Sequence, residues 1–181
     1  LLGFAMGFVM ELIFLVIRFA SSVMDFTMGL SMAQIYDPQY NTQNTVTSGL
    51  YYAFLAMLFL AGNGHVDLIA LFFASFRLIP FGQPVLRPEL AELMLTIFSW
   101  SIFTGLQIAF PLMAMELITE AAIGILMRII PQINVFAVNF QLKIIVGLLM
   151  LLFLFGPMAD QLYGLLNQMD IYMWQAMGLF R

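Results

Sequence analysis

Residues 130–144 read IPQINVFAVNFQLKI and interrupt an intensely apolar chain. Gln132, Asn134, Asn139, Gln141 and Lys143 fall within twelve positions. Polar and apolar residues alternate from Gln132 to Asn134 and again from Asn139 to Lys143, a period that fits extended or irregular backbone better than helix. A carboxamide both donates and accepts hydrogen bonds, so it suits a place where another chain's backbone or a helix end needs a partner. Lipid has no use for such groups at that density. The stretch is read as a docking turn between subunits, set between two apolar helices. A wet loop at the membrane surface is the alternative.

The rest of the chain sets the limits. Its 181 residues are 63% hydrophobic and 9% charged, against about 25% charged in a soluble domain. The mean hydropathy is +1.00. Too few polar groups remain to cover a water-facing surface, so the chain must lie in lipid, against partner chains, or both. The net charge of −4 and the scatter of six basic residues exclude a nucleic-acid site. With no cysteine, disulfides and thiolate chemistry are excluded, and the single His65 rules out any site needing two histidines. The chain opens Leu1-Leu2-Gly3, without an initiator Met or the basic start of a signal peptide, and is read as a fragment of a longer protein.

The apolar runs predict an all-α, membrane-associated fold of helical hairpins with Pro-kinked helices. Residues 1–36 read as one long helix. On it Glu11, Arg18 and Asp25, each seven apart, form a polar stripe along an apolar rod. The stripe is read as a salt-linked, buried helix–helix seam, with an ion pathway as the alternative. Gly3 and Gly7 make a GxxxG, which permits close helix approach. Residues 37–45, DPQYNTQNT, contain no aliphatic side chain and must be a loop. At membrane depth that backbone would have to lie inside protein or line a wet cavity.

Further helices are expected over 46–61 and 66–79, broken by Gly62-Asn63-Gly64-His65, with a stiff connection at Pro80, Gly82, Pro84 and Pro88. Residues 89–110 make the next helix, and Pro111 should kink or split it. Residues 112–130 carry Glu116, Glu120, Gly124 and Arg128 on one i+4 line and stop at Pro131. An apolar run over 142–155 ends at Gly156-Pro157. Residues 158–180 are amphipathic, with Leu162, Leu165, Leu166, Met169, Met173 and Ala176 on the apolar face. The runs near 46–61 and over 93–115 suffice to cross a hydrocarbon layer of about 30 Å. No linker divides the chain, so 1–181 is read as a single domain.

Candidate chemistry is thin. Glu116 and Glu120 are one turn apart, but a metal site would need further ligands and no histidine lies near in sequence. They are read as part of the polar seam, with Arg128 two turns on. His65 is read as a turn residue satisfied by backbone carbonyls, the alternative being a proton relay. Neither a phosphate-binding loop nor a serine nucleophile elbow is present, so no enzyme activity, metal or cofactor is expected. The 15 methionines imply either adaptable packing against several neighbours or a soft gasket around a conduit.

One ordered set of residues goes further. Gly29-Leu30 precedes Asp37-Pro38, and Asn63-Gly64-His65 follows the apolar Leu58-Phe59-Leu60. Then come Arg128-Ile129-Ile130-Pro131-Gln132-Ile133-Asn134-Val135-Phe136, Leu142-Lys143-Ile144 and Gly147. In kind and order these resemble the FliR family of flagellar biosynthetic proteins and, less closely, its virulence type III secretion counterparts. The resemblance covers nearly the whole chain. RxxPQxNVF is its specific element, while NGH and DP support it only together. Where many relatives have Pro after NVF, this chain has Gln141, which loosens the local turn.

The resemblance implies a non-enzymatic subunit of an export gate in the bacterial inner membrane, at the flagellar basal body. That gate is built with FliP and FliQ and contacted by FlhB. Its subunits wind around a channel for unfolded flagellar proteins, much of it raised out of the bilayer plane. The family carries further helices before the equivalent of Leu1. Its plug-like loop corresponds to Asp37, Pro38, Gln39, Tyr40, Asn41, Gln43 and Asn44. Subunit contacts then fall on Arg128, Pro131, Gln132, Asn134, Phe136 and Asn139. A small secondary transporter is the alternative, with Glu11, Arg18 and Asp25, or Glu116 and Glu120, on a solute path. No internal repeat supports it.

Overall fold

One face of the first helix, α1 (Leu2–Met28), is apolar or small at every turn, from Ala5, Val9 and Ile13 through Val16, Ile17 and Ala20 to Met24 and Met28, and this face is buried. The computed structural model describes residues 2–30, 46–78, 88–130 and 135–180, every element of which is α-helical. The others are α2 (Val46–Ala61), α3 (Gly64–Leu78), α4 (Glu89–Ile129) and α5 (Val135–Gly178). The helix α1 is central and packs against α2, α4 and α5. The short α3 touches only α2 and α5.

The close approach of α1 and α4 has a local cause. Ser101, Gly105 and Ala109 recur every fourth residue on the buried face of α4. A Cβ at Gly105 would lie 2.8 Å from the Phe19 ring and 3.3 Å from the Val16 carbonyl oxygen. Small residues at this spacing let two helix backbones pack closely, which is how helices associate where lipid tails are as apolar as leucine. Aromatic pairs tie the remaining helices: Phe14–Tyr52 at 5.3 Å between α1 and α2, Phe54–Phe155 at 4.8 Å between α2 and α5, and Trp100–Tyr172 at 5.5 Å between α4 and α5.

Among the described residues, three helices, Leu2–Met28, Glu89–Ile129 and Val138–Gly178, are long and apolar enough to cross a membrane. The pair Thr47–Ala61 and Gly64–Arg77, bent by 66°, makes a fourth if it is taken as one broken span. Backbone polar groups in lipid must be satisfied within their own segment, which the helices achieve.

Three expectations from the sequence are corrected, and a fourth, that Pro111 should kink or split its helix, loses its second alternative. The first helix ends at Met28 and does not run to Tyr36. Gly29 takes φ 77°, where a side chain is strained, and Leu30 N–H donates to Asp25 C=O at 2.9 Å while Gly29 N–H donates to Phe26 C=O at 3.2 Å. This is a Schellman cap. Pro111 does not split its helix, since α4 runs through it with one buried face from Ile97 to Ile123. Gly156-Pro157 does not end α5 either. Proline inside a membrane helix is tolerated where neighbouring helices and local adjustment compensate for the lost hydrogen bond. Here Pro111 and Pro157 line the same small cavity of about 40 Å³ between α4 and α5, beside Gln107 and Gln161. Finally, Asn139–Lys143 is helix, not extended chain.

Candidate functional site

The functional interest lies in polar groups threaded through an apolar bundle. The first set joins α1 to α2. Asp25, 1% exposed, accepts from the backbone N–H of Thr47 at 3.1 Å and from the Thr47 hydroxyl. A carboxylate in that place satisfies an otherwise free donor in the first turn of α2 and favours the positive end of its dipole. One turn on, the buried Tyr51 hydroxyl has no hydrogen-bond partner among the described residues.

A second set lies between α4 and α5. Glu116 is 2% exposed, and neither of its carboxylate oxygens has a partner among the described residues. A Cβ on Gly147 of α5 would collide with the Met28 thioether and approach Glu116 Oε1 to 3.2 Å. The end of α1, the middle of α4 and α5 therefore meet at Gly147. One turn from each, Lys143 pairs with Glu120. The Asn139 side-chain oxygen, a further turn back on α5, is buried and unpartnered among the described residues. Asn139, Lys143 and Gly147 thus make one i+4 line. An uncompensated polar group in such surroundings is costly.

A third set lines a cavity of about 480 Å³ between the α2–α3 bend and α5, with Asp67, Tyr163, Asn167 and Asp170 on its walls. The bend itself is at Gly62-Asn63. Asn63 adopts φ 59°, which asparagine tolerates better than most residues, and its carbonyl accepts from Val66 and Asp67 N–H. Gly64 and the exposed His65 open α3 just past the bend.

The predicted polar seam is therefore only half buried within this chain. Asp25 and Glu116 are interior. Glu11 and Arg18 form an ion pair at 2.9 Å but stay 64% and 44% exposed, and Glu120 is also exposed. Glu11 and Arg18 sit on a face of α1 that no other described helix covers, while Glu120 meets α5 only through Lys143. Arg128 is exposed near the end of α4. Phe136 belongs to the first turn of α5, and its side chain lies outside the description. The plug-loop residues Asp37, Pro38, Gln39, Tyr40, Asn41, Gln43 and Asn44, and the docking residues Pro131, Gln132 and Asn134, lie outside the described residues. Nothing in the sequence singled out Thr47 or Tyr51, which sit in an uncharged run. Lys143 was legible as a partner for Glu120 only once both were known to be helical.

Long apolar helices, a bent pair and polar groups held between spans define an all-helical membrane protein. Residues 1–169 match the family described as Bacterial export proteins, family 1, and the chain belongs to that family. Over 168 residues it is 34% identical to the flagellar biosynthetic protein FliR of Escherichia coli, covering 91% of this chain and 64% of that protein. The FliR of Bacillus subtilis is 30% identical over 155 residues, 84% of this chain and 60% of that one. The Yop proteins translocation protein T of Yersinia pestis is 24% identical over 173 residues, 94% of this chain and 66% of that one. The chain thus spans less than two thirds of the length of these relatives.

Proposed function

We propose that this chain is the greater part of a structural subunit of the flagellar type III export gate, through which unfolded flagellar proteins leave the cell. The observation that carries the reading is the match over residues 1–169, together with flagellar relatives that align along nearly the whole chain. FliP and FliQ are the expected gate companions, FlhB the expected contact, and the inner membrane the expected location. The role is architectural rather than catalytic. The chain acts as a single gate domain, its helices packed on sister subunits around a conduit. Asp37–Asn44 serve as a plug, while Arg128, Pro131, Gln132, Asn134, Phe136 and Asn139 face other subunits. The physical argument agrees with this: ionised side chains on the uncovered face of a membrane helix call for a protein or aqueous neighbour, not acyl chains.

The test is genetic. Deleting the gene should abolish secretion of hook and filament subunits into the medium and stop swimming, and a plasmid copy should restore both. Undiminished secretion in the deletion strain contradicts the proposal. Saturable uptake of a small solute by the purified protein alone would instead favour a transporter.

A further inference from the structure

We infer that the uncovered face of α1 is a docking seam for a single transmembrane helix of a companion subunit, an apolar helix carrying hydroxyl or carboxamide side chains at mid-depth. The inference rests on the export-gate reading above and adds the place and chemistry of one contact.

Four features of the face lead there. Its exposed positions recur at heptad spacing: Phe4, Glu11 and Arg18 form one row and Phe8 and Ser22 flank it, while the half-buried Leu15 between those two packs against this chain's own core. A 3.5-residue repeat along one face is the pattern of a helix packed at a shallow angle against another helix over its length. The Glu11–Arg18 ion pair lies well inside the 27-residue span and on its outside, 64% and 44% exposed. Lipid is a poor neighbour for that pair. Water is a poor neighbour for the two ends of the same face, where Phe4 is 77% and Phe26 75% exposed. Finally, a Cβ on Gly3 or Gly7 would meet nothing within 4 Å, so the GxxxG groove is open and points away from the chain's own core. Apolar ends, an open small-residue groove and a charged centre together fit a helix and fit neither lipid nor a lumen.

The chemistry of the occupant follows from Arg18. Its guanidinium has several N–H donors in a planar fork, and among the described residues only its Nη2 is engaged, by Glu11. The remaining donors need acceptors. The Glu11–Arg18 pair is already neutral, so a hydroxyl or amide oxygen supplies them without adding a buried charge. A seam of this kind is oriented by its one polar layer, as a single polar position sets the register of a coiled coil.

The experiment places a photo-crosslinking amino acid at Ser22 in the full-length protein, within the assembled complex in bacterial membranes. A second is placed at Phe153, on the outer face of α5. Irradiation at position 22 should give one adduct with another integral membrane subunit. Mass spectrometry should locate it in an apolar helix bearing Ser, Thr, Asn or Gln. Gly7→Leu fills the groove without touching this chain's own core and should lower the yield of that adduct roughly tenfold, as should Arg18→Leu. An adduct at position 22 with phospholipid, with a passing export substrate or with another part of this same polypeptide overturns the seam. So does a yield indifferent to Gly7→Leu. If companions are crosslinked from position 153 but lipid from 22, the seam falls and the export-gate reading stands. If no subunit is crosslinked from either position and the protein purifies alone, both fall.

Discussion

Pro157 divides α5 into halves that reverse the usual relation between greasiness and burial. Before it, Ile145, Leu148, Leu149, Leu152 and Phe153 face outward, with Phe153 79% exposed. After it the chain holds Asp160, Gln161, Asn167, Gln168 and Asp170, yet Met158, Leu162, Leu165, Met169 and Met173 are in the core. The contrast extends to whole spans. In the most apolar window of α5, 11% of the residues are buried, against 39% in that of α1. In a chain whose surface is not meant for water, hydrophobicity does not mark the interior. Periodicity does: the second half of α5 is amphipathic and presents one apolar stripe, while residues 144–155 before Pro157 are apolar all round.

The sharpest way to break that comparison is a pair of truncations in α5. Leu162→Ala removes a fully buried side chain and should destabilise the detergent-purified protein by about 2–5 kcal/mol. Leu152→Ala, on the exposed half, should leave its unfolding curve unchanged. Equal effects would mean that the two halves do not differ as described.

A smaller loss is expected at Asp25. Asp25→Ala leaves the Thr47 N–H without its acceptor in an apolar setting, and about 1.5–3 kcal/mol should be lost. Asp25→Asn, which keeps one carbonyl oxygen, should recover part of that in the same unfolding measurement.

Gly147 is the one fully buried residue among those described in the outward-facing half, and it tests the contact there. Gly147→Val must displace the flexible Met28 side chain and should cost about 1–2 kcal/mol, and a Met28→Ala background should relieve most of it. Such rescue sharpens the picture of a three-helix meeting point, and its absence would deny the contact. The smallest effect belongs to the Glu120–Lys143 pair. Lys143→Met should change stability by less than about 1 kcal/mol, because Glu120 is well exposed.

These regions also differ in how far the sequence revealed them. The stripe Leu162, Leu165, Leu166, Met169, Met173 and Ala176 was readable, because it follows a helical period bounded by polar residues, and all but the half-buried Leu166 are buried. The break at Gly62-Asn63 was readable from backbone chemistry. Pro157 misled, because proline is a strong helix stop in water but not between packed membrane helices, and at Pro111 the expected kink or split is not a split. The alternation of Asn139, Gln141 and Lys143 looked like extended or irregular backbone. The informative spacing was the fourfold one, Asn139 to Lys143 to Gly147, which faces Glu116 and Glu120. Ser101-Gly105-Ala109 carried a small-residue signal for the α1–α4 contact that was legible but passed unread. Asp25 and Thr47 lie 22 positions apart across a polar stretch, and no local pattern joins them. The ends of the seam were hidden for another reason: Glu11 and Arg18 lie seven apart on the face turned away from this chain's core, and this chain leaves them exposed.

The central claim is that these apolar helices are sheathed by companion chains around a passage. Native mass spectrometry of the full-length protein, purified through a tag from bacterial membranes in mild detergent, tests it most directly. The account predicts a defined hetero-oligomer of integral membrane subunits containing this chain. A single polypeptide carrying only detergent and lipid would contradict it.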